Sequence, residues 1–377
     1  MATIGIDYTP AYEQGAGIGR YVRDLVSALT HSGTQNQYKL LVAGLQADRP
    51  LVPEYNPNFQ WRPTRLTPVF LARMWHRLRV PLPVNWFTGQ IDLFHATDFV
   101  LPPLTSSTRS ILTVHDLSFV RVPETATPSL KRYLDDVVPR SVRRADHILA
   151  DSQATKDDLI ELYGTPSNKI TVLLSGVDER FKPSTRPRDH LRDRYNLPDG
   201  DYIFSIGTVQ PRKNYERLVT ALARLRERGY EIQLVIAGAK GWLDTPIYDA
   251  VHRLGVSDAV HFLGFVADED LPDLYTHATA FAFPSLYEGF GFPVLESMAC
   301  GTPVLTSNVS SLPEVAGKSA LTVDPYDIEA ITDGLERLLS DSALRQHCIE
   351  EGFRHVQRFN WAQSAQLLLR VYQDVLT

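Results

Sequence analysis

Cysteine and long apolar runs are scarce in this sequence, and both absences limit what the protein can be. Its 377 residues include two cysteines, Cys300 and Cys348, so a disulfide framework is excluded and a cysteine-rich zinc site is not expected. No uncharged apolar run approaches the roughly 18 residues of a membrane-spanning helix. Residues 1–10 lack the basic and then apolar segments of a secretory signal. We therefore expect a soluble, cytoplasmic protein.

A basic excess is missing as well. The chain has 38 lysines and arginines against 44 aspartates and glutamates, a net charge of −6, whereas a nucleic-acid-binding surface needs clustered positive charge. We therefore exclude nucleic acid as a partner. Apolar material is plentiful: 44% of the residues are hydrophobic and 22% are charged. This is enough for two folded domains of roughly 100–200 residues each.

Short β-branched runs alternate with longer helical patterns, which is typical of parallel sheets built from β-α-β units. Strands are predicted in a first series at 3–8, 39–44, 92–97, 110–116, 147–152 and 170–176, and in a second at 202–208, 233–238, 260–265, 280–285, 303–308 and 321–325. Residues 181–200, with several prolines and charges, suit a linker. The sequence therefore predicts an α/β protein with Rossmann-like domains at 1–180 and 201–358 and a helical segment at 359–377.

Ligands of open α/β sheets bind beyond the carboxyl ends of the strands, so polar motifs at these ends are the candidates for a functional site. Gly15, Gly17 and Gly19 follow the first strand. Their spacing differs from the G-x-G-x-x-G of dinucleotide folds, and no acidic residue ends the second strand, which argues against NAD. The loop either lets backbone N–H groups approach a ligand or simply connects strand and helix.

His115 and Asp116 end the fourth strand of the first series. A histidine at such an edge can orient a substrate hydroxyl or transfer a proton. Because neighbouring residues of a strand point to opposite faces, the two side chains cannot act as one pair unless the strand breaks there. A buried, hydrogen-bonded histidine is the alternative.

Arg212 and Lys213 follow the first strand of the second series, after Gly207 and Pro211 and at the start of a helical pattern. Two cations beside the positive end of a helix are unfavourable unless an anion binds there. A bidentate guanidinium and an ammonium together suit a diphosphate. Solvated surface charges are the alternative.

The segment from Glu288 to Glu296 follows the strand at 280–285. Pro293 suits the first turn of a helix, which leaves the backbone N–H groups around Gly289–Leu295 free for a ligand. Carboxylates accept hydrogen bonds from paired hydroxyls, so the two glutamates suit a hexose and a ribose. Alternatively, Glu288 is an ordinary loop residue and Glu296 has a favourable place near a helix dipole.

Residues 61–90 contain no acidic residue, but they contain arginines interleaved with large apolar side chains. The arginines are Arg62, Arg65, Arg73, Arg77 and Arg79. A basic amphipathic stretch of this kind can lie on an anionic membrane surface. Otherwise it is ordinary surface in which arginine stems cover apolar area.

The pattern Glu288-x7-Glu296, in its glycine- and proline-rich setting, resembles the retaining nucleotide-sugar glycosyltransferases of family 4. The resemblance extends over nearly the whole chain and includes the turn at 207–214. It implies the GT-B fold: two Rossmann-like domains facing a cleft, with the last helix packing back on the N-terminal domain. The strand ends at 94–99 and 113–119 resemble those of bacterial polysaccharide mannosyltransferases.

This resemblance implies a role for each motif. Arg212 and Lys213 would hold the donor diphosphate, Glu288 the hexose and Glu296 the ribose. The acceptor side would have His115, beside the sugar, and Asp116. The catalytic set would be His115, Arg212, Lys213 and Glu288, and the donor site would be completed by Gly17, Gly19, Gly207, Gly289, Phe290, Gly291 and Leu295. Thr208 stands where many members have arginine, so Arg212 is expected to supply that guanidinium.

We expect no metal and no other cofactor. No Asp-x-Asp is placed for a metal ion, and two cations with a helix N-terminus can neutralise a leaving diphosphate. GDP-mannose is the favoured donor and UDP-glucose the next, with a saccharide or lipid-linked acceptor and possible membrane contact through 61–90. The alternatives are a GT-B sugar-nucleotide epimerase, which lacks Glu-x7-Glu, and a non-catalytic nucleotide-sugar-binding subunit, in which part of the site should be lost.

Overall fold

The computed structural model describes residues 1–15, 17–32, 35–46, 51 and 56–377. These residues form two compact units, each containing one parallel β-sheet. The first unit comprises Met1–Leu117, Arg132–Gly176 and Asn360–Thr377, and the second comprises Ser118–Lys131 and Val177–Phe359. The predicted α/β class is confirmed. Residues 181–200, for which the sequence predicts a linker, contain a helix at Asp189–Tyr195 and lie within the second unit.

The first sheet has seven parallel strands in the order β3-β2-β1-β4-β5-β6-β7. They are β1 (Thr3–Asp7), β2 (Gln37–Ala43), β3 (Phe59–Thr64), β4 (Leu93–Ala96), β5 (Arg109–Val114), β6 (His147–Ala150) and β7 (Ile170–Val172). The sequence predicts six of them and misses β3. That strand lies at the edge of the sheet and contains Arg62 and Pro63, which interrupt the apolar run. Proline cannot donate to the strand ladder and is found within sheets mainly in edge strands.

The second sheet has six parallel strands in the order β10-β9-β8-β11-β12-β13. They are β8 (Tyr202–Ile206), β9 (Gln233–Ala237), β10 (Val260–Gly264), β11 (Ala280–Phe283), β12 (Val304–Ser307) and β13 (Ala320–Val323). The sequence predicts all six. In the four central strands, β9, β8, β11 and β12, the apolar residues are almost all buried because helices cover both faces of a parallel sheet, whereas the edge strands β10 and β13 are only partly buried.

Helices connect the strands. They are α1 (Thr9–Glu13), α2 (Gly17–Ser32), α3 (Pro68–Ala72), α4 (Asn85–Thr88), α5 (Ser118–Arg121), α6 (Pro128–Arg144), α7 (Gln153–Tyr163), α8 (Asp189–Tyr195), α9 (Tyr215–Glu227), α10 (Thr245–Arg253), α11 (Leu271–Thr276), α12 (Phe292–Ala299), α13 (Leu312–Ala316), α14 (Ile328–Ser340), α15 (Ser342–Val356) and α16 (Trp361–Leu376). Within the part of the chain that is described, no helix combines the length and apolarity needed to cross a bilayer.

The last helix, α16, belongs to the first unit, where it packs against α2. Tyr372 on α16 is fully buried, and its hydroxyl lies 2.9 Å from Nδ1 of His95 on β4. Ser364 donates to the carbonyl of Leu174 at 2.6 Å. The C-terminal residues therefore complete the core of a domain whose other residues come from the first half of the chain.

Candidate active site

Arg212 and Lys213 lie in a short 3₁₀ turn, Pro211–Lys213, between β8 and α9. Asn214 follows with a φ of 61° and occupies the N-cap position of α9, although its side chain makes no capping hydrogen bond. Both cations therefore precede a helix, as the sequence predicts, and their side chains are only 17% and 11% exposed. Charges this well buried need a partner of opposite sign.

Glu288 is that partner. It follows β11, the strand next to β8 in the sheet. Its Oε2 accepts a hydrogen bond from Nη1 of Arg212 at 2.6 Å, and its Oε1 accepts one from Nζ of Lys213 at 2.7 Å. Lys213 also lies over the ring of Phe283, with Nζ 4.6 Å from the centroid. Two cations and one carboxylate leave the cluster with one net positive charge.

The ionisation of Glu288 depends on both cations. Burial by itself would raise the pKa of this carboxyl group, but Arg212 and Lys213 outweigh burial and lower the pKa to about 2. Glu288 is therefore a carboxylate at neutral and mildly acidic pH, able to accept hydrogen bonds but not to donate a proton. A diphosphate that binds Arg212 and Lys213 must compete with Glu288 for them.

Gly207 comes directly after β8 and has a φ of 148°. A Cβ atom at this position would lie 2.8 Å from Cε of Lys213. Only glycine leaves room for the lysine side chain on its path to Glu288. Gly207 therefore serves the cluster by leaving space for Lys213.

Three polar residues that the sequence analysis did not single out hold the backbone of the cluster. Asn214, 3% exposed, donates from Nδ2 to the carbonyls of Pro284 at 2.9 Å and Pro325 at 2.7 Å. Ser310 Oγ accepts from the backbone N–H of Glu288 at 3.0 Å, and Ser311 Oγ donates to its carbonyl at 2.9 Å. An asparagine at a turn that needs positive φ was the available signal in the sequence.

Glu296 lies on α12 and is 2% exposed. Its Oε2 accepts a hydrogen bond from the hydroxyl of Tyr275 at 2.8 Å, and Tyr275 itself is fully buried. A ribose that binds Glu296 must use the remaining lone pairs of the carboxylate or replace Tyr275.

The segment between the two glutamates is mostly buried, and only Phe292 and Pro293 in it have partly exposed side chains. The side chains of Phe290 and Leu295 are 4% and 0% exposed, and the ring of Phe290 packs edge-on against Phe292 at 5.1 Å. Gly289 is buried, and Gly291, with a φ of 127°, is the N-cap residue of α12. Phe290 and Leu295 can therefore contact a ligand only through main-chain atoms, as Gly289 and Gly291 must.

In the first unit, Gly17 and Gly19 lie in the first turn of α2. A Cβ at Gly19 would be 2.0 Å from the carbonyl oxygen of Gln14, so close packing requires glycine there, whereas a Cβ at Gly17 would meet nothing within 4 Å. Close packing therefore explains why position 19 is glycine, independently of any ligand.

His115 follows the end of β5 and is 5% exposed. Its Nδ1 lies 2.7 Å from Oδ2 of Asp151, and its Nε2 lies 2.8 Å from the carbonyl oxygen of Thr97. The strand does break before His115, but the carboxylate that the ring binds is Asp151, after β6, and not the adjacent Asp116. Asp151, 36 residues away, is not among the candidate residues that the sequence predicts.

Other carboxyl groups surround this histidine. Burial raises the pKa of Asp7, at the end of β1, to about 6, and Thr9 moderates the effect by hydrogen bonding. Burial also raises the pKa of Asp98, after β4, against the opposing charge of His115. Asp116 is half-buried beside them. The carboxyl edge of the first sheet is therefore acidic, with one histidine among several acids.

The stretch at 61–90 starts in β3 and continues through α3, a π-helical turn at Arg73–Arg77, and α4. Its inner side is anchored by Leu71, which is buried, and by Trp75, which donates to the carbonyl of Leu82 at 2.8 Å. Its outer side has exposed arginines and exposed large apolar residues: Arg65, Leu66, Val69, Phe70, Arg73, Arg77, Leu78, Arg79, Val80 and Trp86. We call these ten residues the arginine-rich surface.

Comparison with known families covers both halves of the chain. The family described as Glycosyltransferase Family 4 matches residues 15–181, and the family Glycosyl transferases group 1 matches residues 187–355. The O-antigen chain mannosyltransferase B of Escherichia coli is 32% identical over 368 residues, which cover 95% of this chain and 96% of that protein.

Solved structures agree with the fold. The sucrose-phosphate synthase of Thermosynechococcus elongatus superimposes with a TM-score of 0.77 at 22% identity, covering 100% of this chain and 99% of the other. The Anabaena protein HepE, in a complex with UDP and glucose, gives 0.74 at 18% identity, with 99% of each chain covered. The two parallel-sheet domains and these matches define a glycosyltransferase of the GT-B fold. More narrowly, the chain belongs to glycosyltransferase family 4, which confirms the resemblance seen in the sequence.

Proposed function

We propose that the protein transfers a hexose from a nucleotide-sugar to a hydroxyl group of a saccharide or lipid-linked acceptor, with retention of configuration. GDP-mannose is the favoured donor and UDP-glucose the next. The observation that carries the proposal is the cluster of Arg212, Lys213 and Glu288 at the carboxyl edge of the second sheet. The mannosyltransferase name of the relative from Escherichia coli supports the choice of mannose.

Each member of the cluster has a proposed role. Arg212 and Lys213 bind the diphosphate and stabilise the charge that develops on it as the glycosidic bond to phosphate breaks. Glu288 is ionised, since its pKa is about 2, so it accepts hydrogen bonds from sugar hydroxyls and fixes the orientation of the hexose. Glu296 binds the ribose, and the backbone of Gly289–Leu295 contacts the donor.

We propose a front-face substitution for the chemical step. The acceptor hydroxyl attacks the anomeric carbon on the side from which the diphosphate leaves. The departing phosphate oxygen takes the proton of that hydroxyl, so the proton count balances without a separate base. The two cations do the work that a divalent metal does in other transferases, and the proposal therefore includes no metal.

A thermal-shift and donor-hydrolysis screen in EDTA tests this function. GDP-mannose, UDP-glucose, UDP-N-acetylglucosamine and UDP-galactose are compared with their free diphosphates. We expect GDP-mannose and GDP to raise the melting temperature and GDP-mannose to be hydrolysed slowly. Binding without hydrolysis or transfer to any acceptor would favour a non-catalytic nucleotide-sugar-binding subunit. Release of free 2-epimerised sugar would favour an epimerase.

We also propose that the protein is cytoplasmic and contacts the inner face of the membrane through the arginine-rich surface. Trp86 is 78% exposed, Leu78 72% and Val69 60%, and the exposed arginines lie among them with no acid between residues 61 and 90. Apolar side chains that enter the headgroup region and arginines that bind lipid phosphates suit an anionic bilayer.

Co-sedimentation with vesicles tests the membrane contact. We expect binding to vesicles containing phosphatidylglycerol, little binding to phosphatidylcholine alone, and loss of binding in Trp86→Ser combined with Arg73→Ser and Arg77→Ser. Tyr326→Ser, which removes an exposed aromatic side chain from the second unit, is the matched control. Equal recovery with and without anionic lipid would leave this surface simply solvated.

A further inference from the structure

The β6–α7 junction of the first unit binds His115 at two points. The side chain of Asp151 meets Nδ1 at 2.7 Å, and the hydroxyl of Thr155 donates to the backbone carbonyl of His115 at 3.1 Å. Ser152, the N-cap residue of α7, accepts from the N–H of Thr155 at 3.1 Å and so fixes Thr155. Asp151, Ser152 and Thr155 are 3%, 0% and 0% exposed. The junction is therefore a preformed clamp for one residue.

The second ring nitrogen determines how His115 is protonated. Nε2 lies 2.8 Å from the carbonyl oxygen of Thr97, and a carbonyl oxygen can only accept, so Nε2 must carry a hydrogen. Nδ1 then faces a carboxylate oxygen at hydrogen-bond distance, with a proton between them. Neither nitrogen retains a lone pair for a substrate hydroxyl.

We propose that Asp151 is a positioning residue that holds His115 as an imidazolium, with both N–H groups bound inside the first unit, and so withdraws it from service as a base. The inference rests on the proposed glycosyl transfer in one respect: it requires the acceptor's proton to leave by the departing phosphate oxygen. His115 then shapes the acceptor side through its fixed ring and backbone.

The surroundings of the ring support the charged form. Burial alone would lower the pKa of His115, but the Asp151 carboxylate, with help from Asp98 and the Thr97 carbonyl, outweighs it and raises the pKa to about 9. Asp116 adds negative charge near Asp98 and Asp151. Tyr21 on α2 faces the ring edge-on at 5.1 Å, and the neighbouring His95 is held neutral because burial lowers its pKa to about 3.

Nuclear magnetic resonance of the protein labelled with ¹⁵N-histidine tests the inference without donor or acceptor. The His115 signals are identified by their loss in His115→Gln. We expect both ring nitrogens to be protonated at pH 7.5, with titration near pH 9. In Asp151→Asn the titration of His115 should move below pH 6.5, because the Asp151 carboxylate no longer offsets the effect of burial. Asp151→Glu should restore much of it, and Asp157→Asn, which changes an exposed acid on α7, should leave it unchanged.

Activity gives a second readout. In the wild type, kcat/KM should show no change between pH 5 and pH 8 that is due to titration of His115. In Asp151→Asn, such a change should appear in that range. A wild-type His115 that titrates near or below pH 6.5 would overturn the inference, even if Asp151→Asn fails to fold. Because the titration needs no substrate, it separates failure of this inference from failure of the proposed glycosyl transfer.

Discussion

The two sheets have the same architecture but opposite electrostatics at their carboxyl edges. In the second unit, two cations surround one carboxylate, and the pKa of Glu288 falls to about 2. In the first unit, several carboxyl groups surround one histidine, and the pKa of Asp7 rises to about 6. The same fold therefore supplies one edge suited to an anion and another that repels anions.

This difference supports the proposed assignment of the substrates to the two sheet edges. A diphosphate carries negative charge and binds where cations outnumber acids. The acidic edge of the first unit disfavours such a group and suits the neutral hydroxyls of a saccharide, which hydrogen-bond to carboxylates. Both points support the proposal that the second unit binds the donor diphosphate and that the first unit binds the acceptor hydroxyl.

The largest expected effect comes from breaking the cation cluster. Glu288→Ala should lower turnover roughly 100-fold or more, because it removes the group that orients the hexose. Initial rates with GDP-mannose measure the effect, and circular dichroism checks the fold. Glu227→Ala, at an exposed position on α9, is the control. Near-normal turnover would remove the sugar role from Glu288.

Lys213→Ala tests whether the carboxyl edge of the second sheet binds an anion. Loss of a charged hydrogen bond should weaken binding of free nucleoside diphosphate by roughly 1–3 kcal/mol, or about 5- to 150-fold in Kd. Calorimetric titration measures this change. The exposed Lys318→Ala should change Kd little. A dissociation constant that is the same in wild type and Lys213→Ala would limit Lys213 to its ion pair with Glu288 and exclude it from diphosphate binding.

A smaller effect is expected at the acidic edge. Since the folded-state pKa of Asp7 is raised to about 6 from 3.8, folding favours its protonated form, and stability falls as pH rises from about 4 to about 6. Asp7→Asn removes this loss. The change that it causes in the free energy of unfolding should therefore be about 1–3 kcal/mol more favourable at pH 7.5 than at pH 4.

Urea unfolding at the two pH values measures the Asp7 effect. Asp157→Asn, which changes an exposed carboxylate, should give the same small change at both. If Asp7→Asn changes the free energy of unfolding equally at pH 4 and pH 7.5, burial does not raise the pKa of Asp7. The description of the acidic edge of the first sheet would then be wrong for this residue.

Much of this fold follows from the sequence because apolar runs and helical periods are local. The strands on both sides of Arg212 and Glu288 are predicted, and so is the position of these residues at strand ends. The edge strand β3 is missed because Arg62 and Pro63 interrupt its apolar pattern. As an edge strand, β3 pairs with β2 alone. Strand formation depends on this pairing more than on the residues of β3 themselves.

Contacts across the sheets do not follow from the sequence. Arg212 and Glu288 are 76 residues apart, and His115 and Asp151 are 36 apart. Composition indicates that each has a charge but not which charge it meets. From the sequence, Glu288 is assigned to the sugar and the two cations to the phosphate, but their contact with one another is not predicted, and neither is a role for Asp151.

If Arg212 and Lys213 form the diphosphate site, a bound diphosphate competes with Glu288 for them. Calorimetric titration of GDP into wild type and Glu288→Gln, in EDTA, tests this competition most directly. Because glutamine keeps the shape of Glu288 but removes its charge, we expect GDP to bind several-fold more tightly to the variant while turnover falls. GDP binding that weakens or disappears in Glu288→Gln would contradict the proposal.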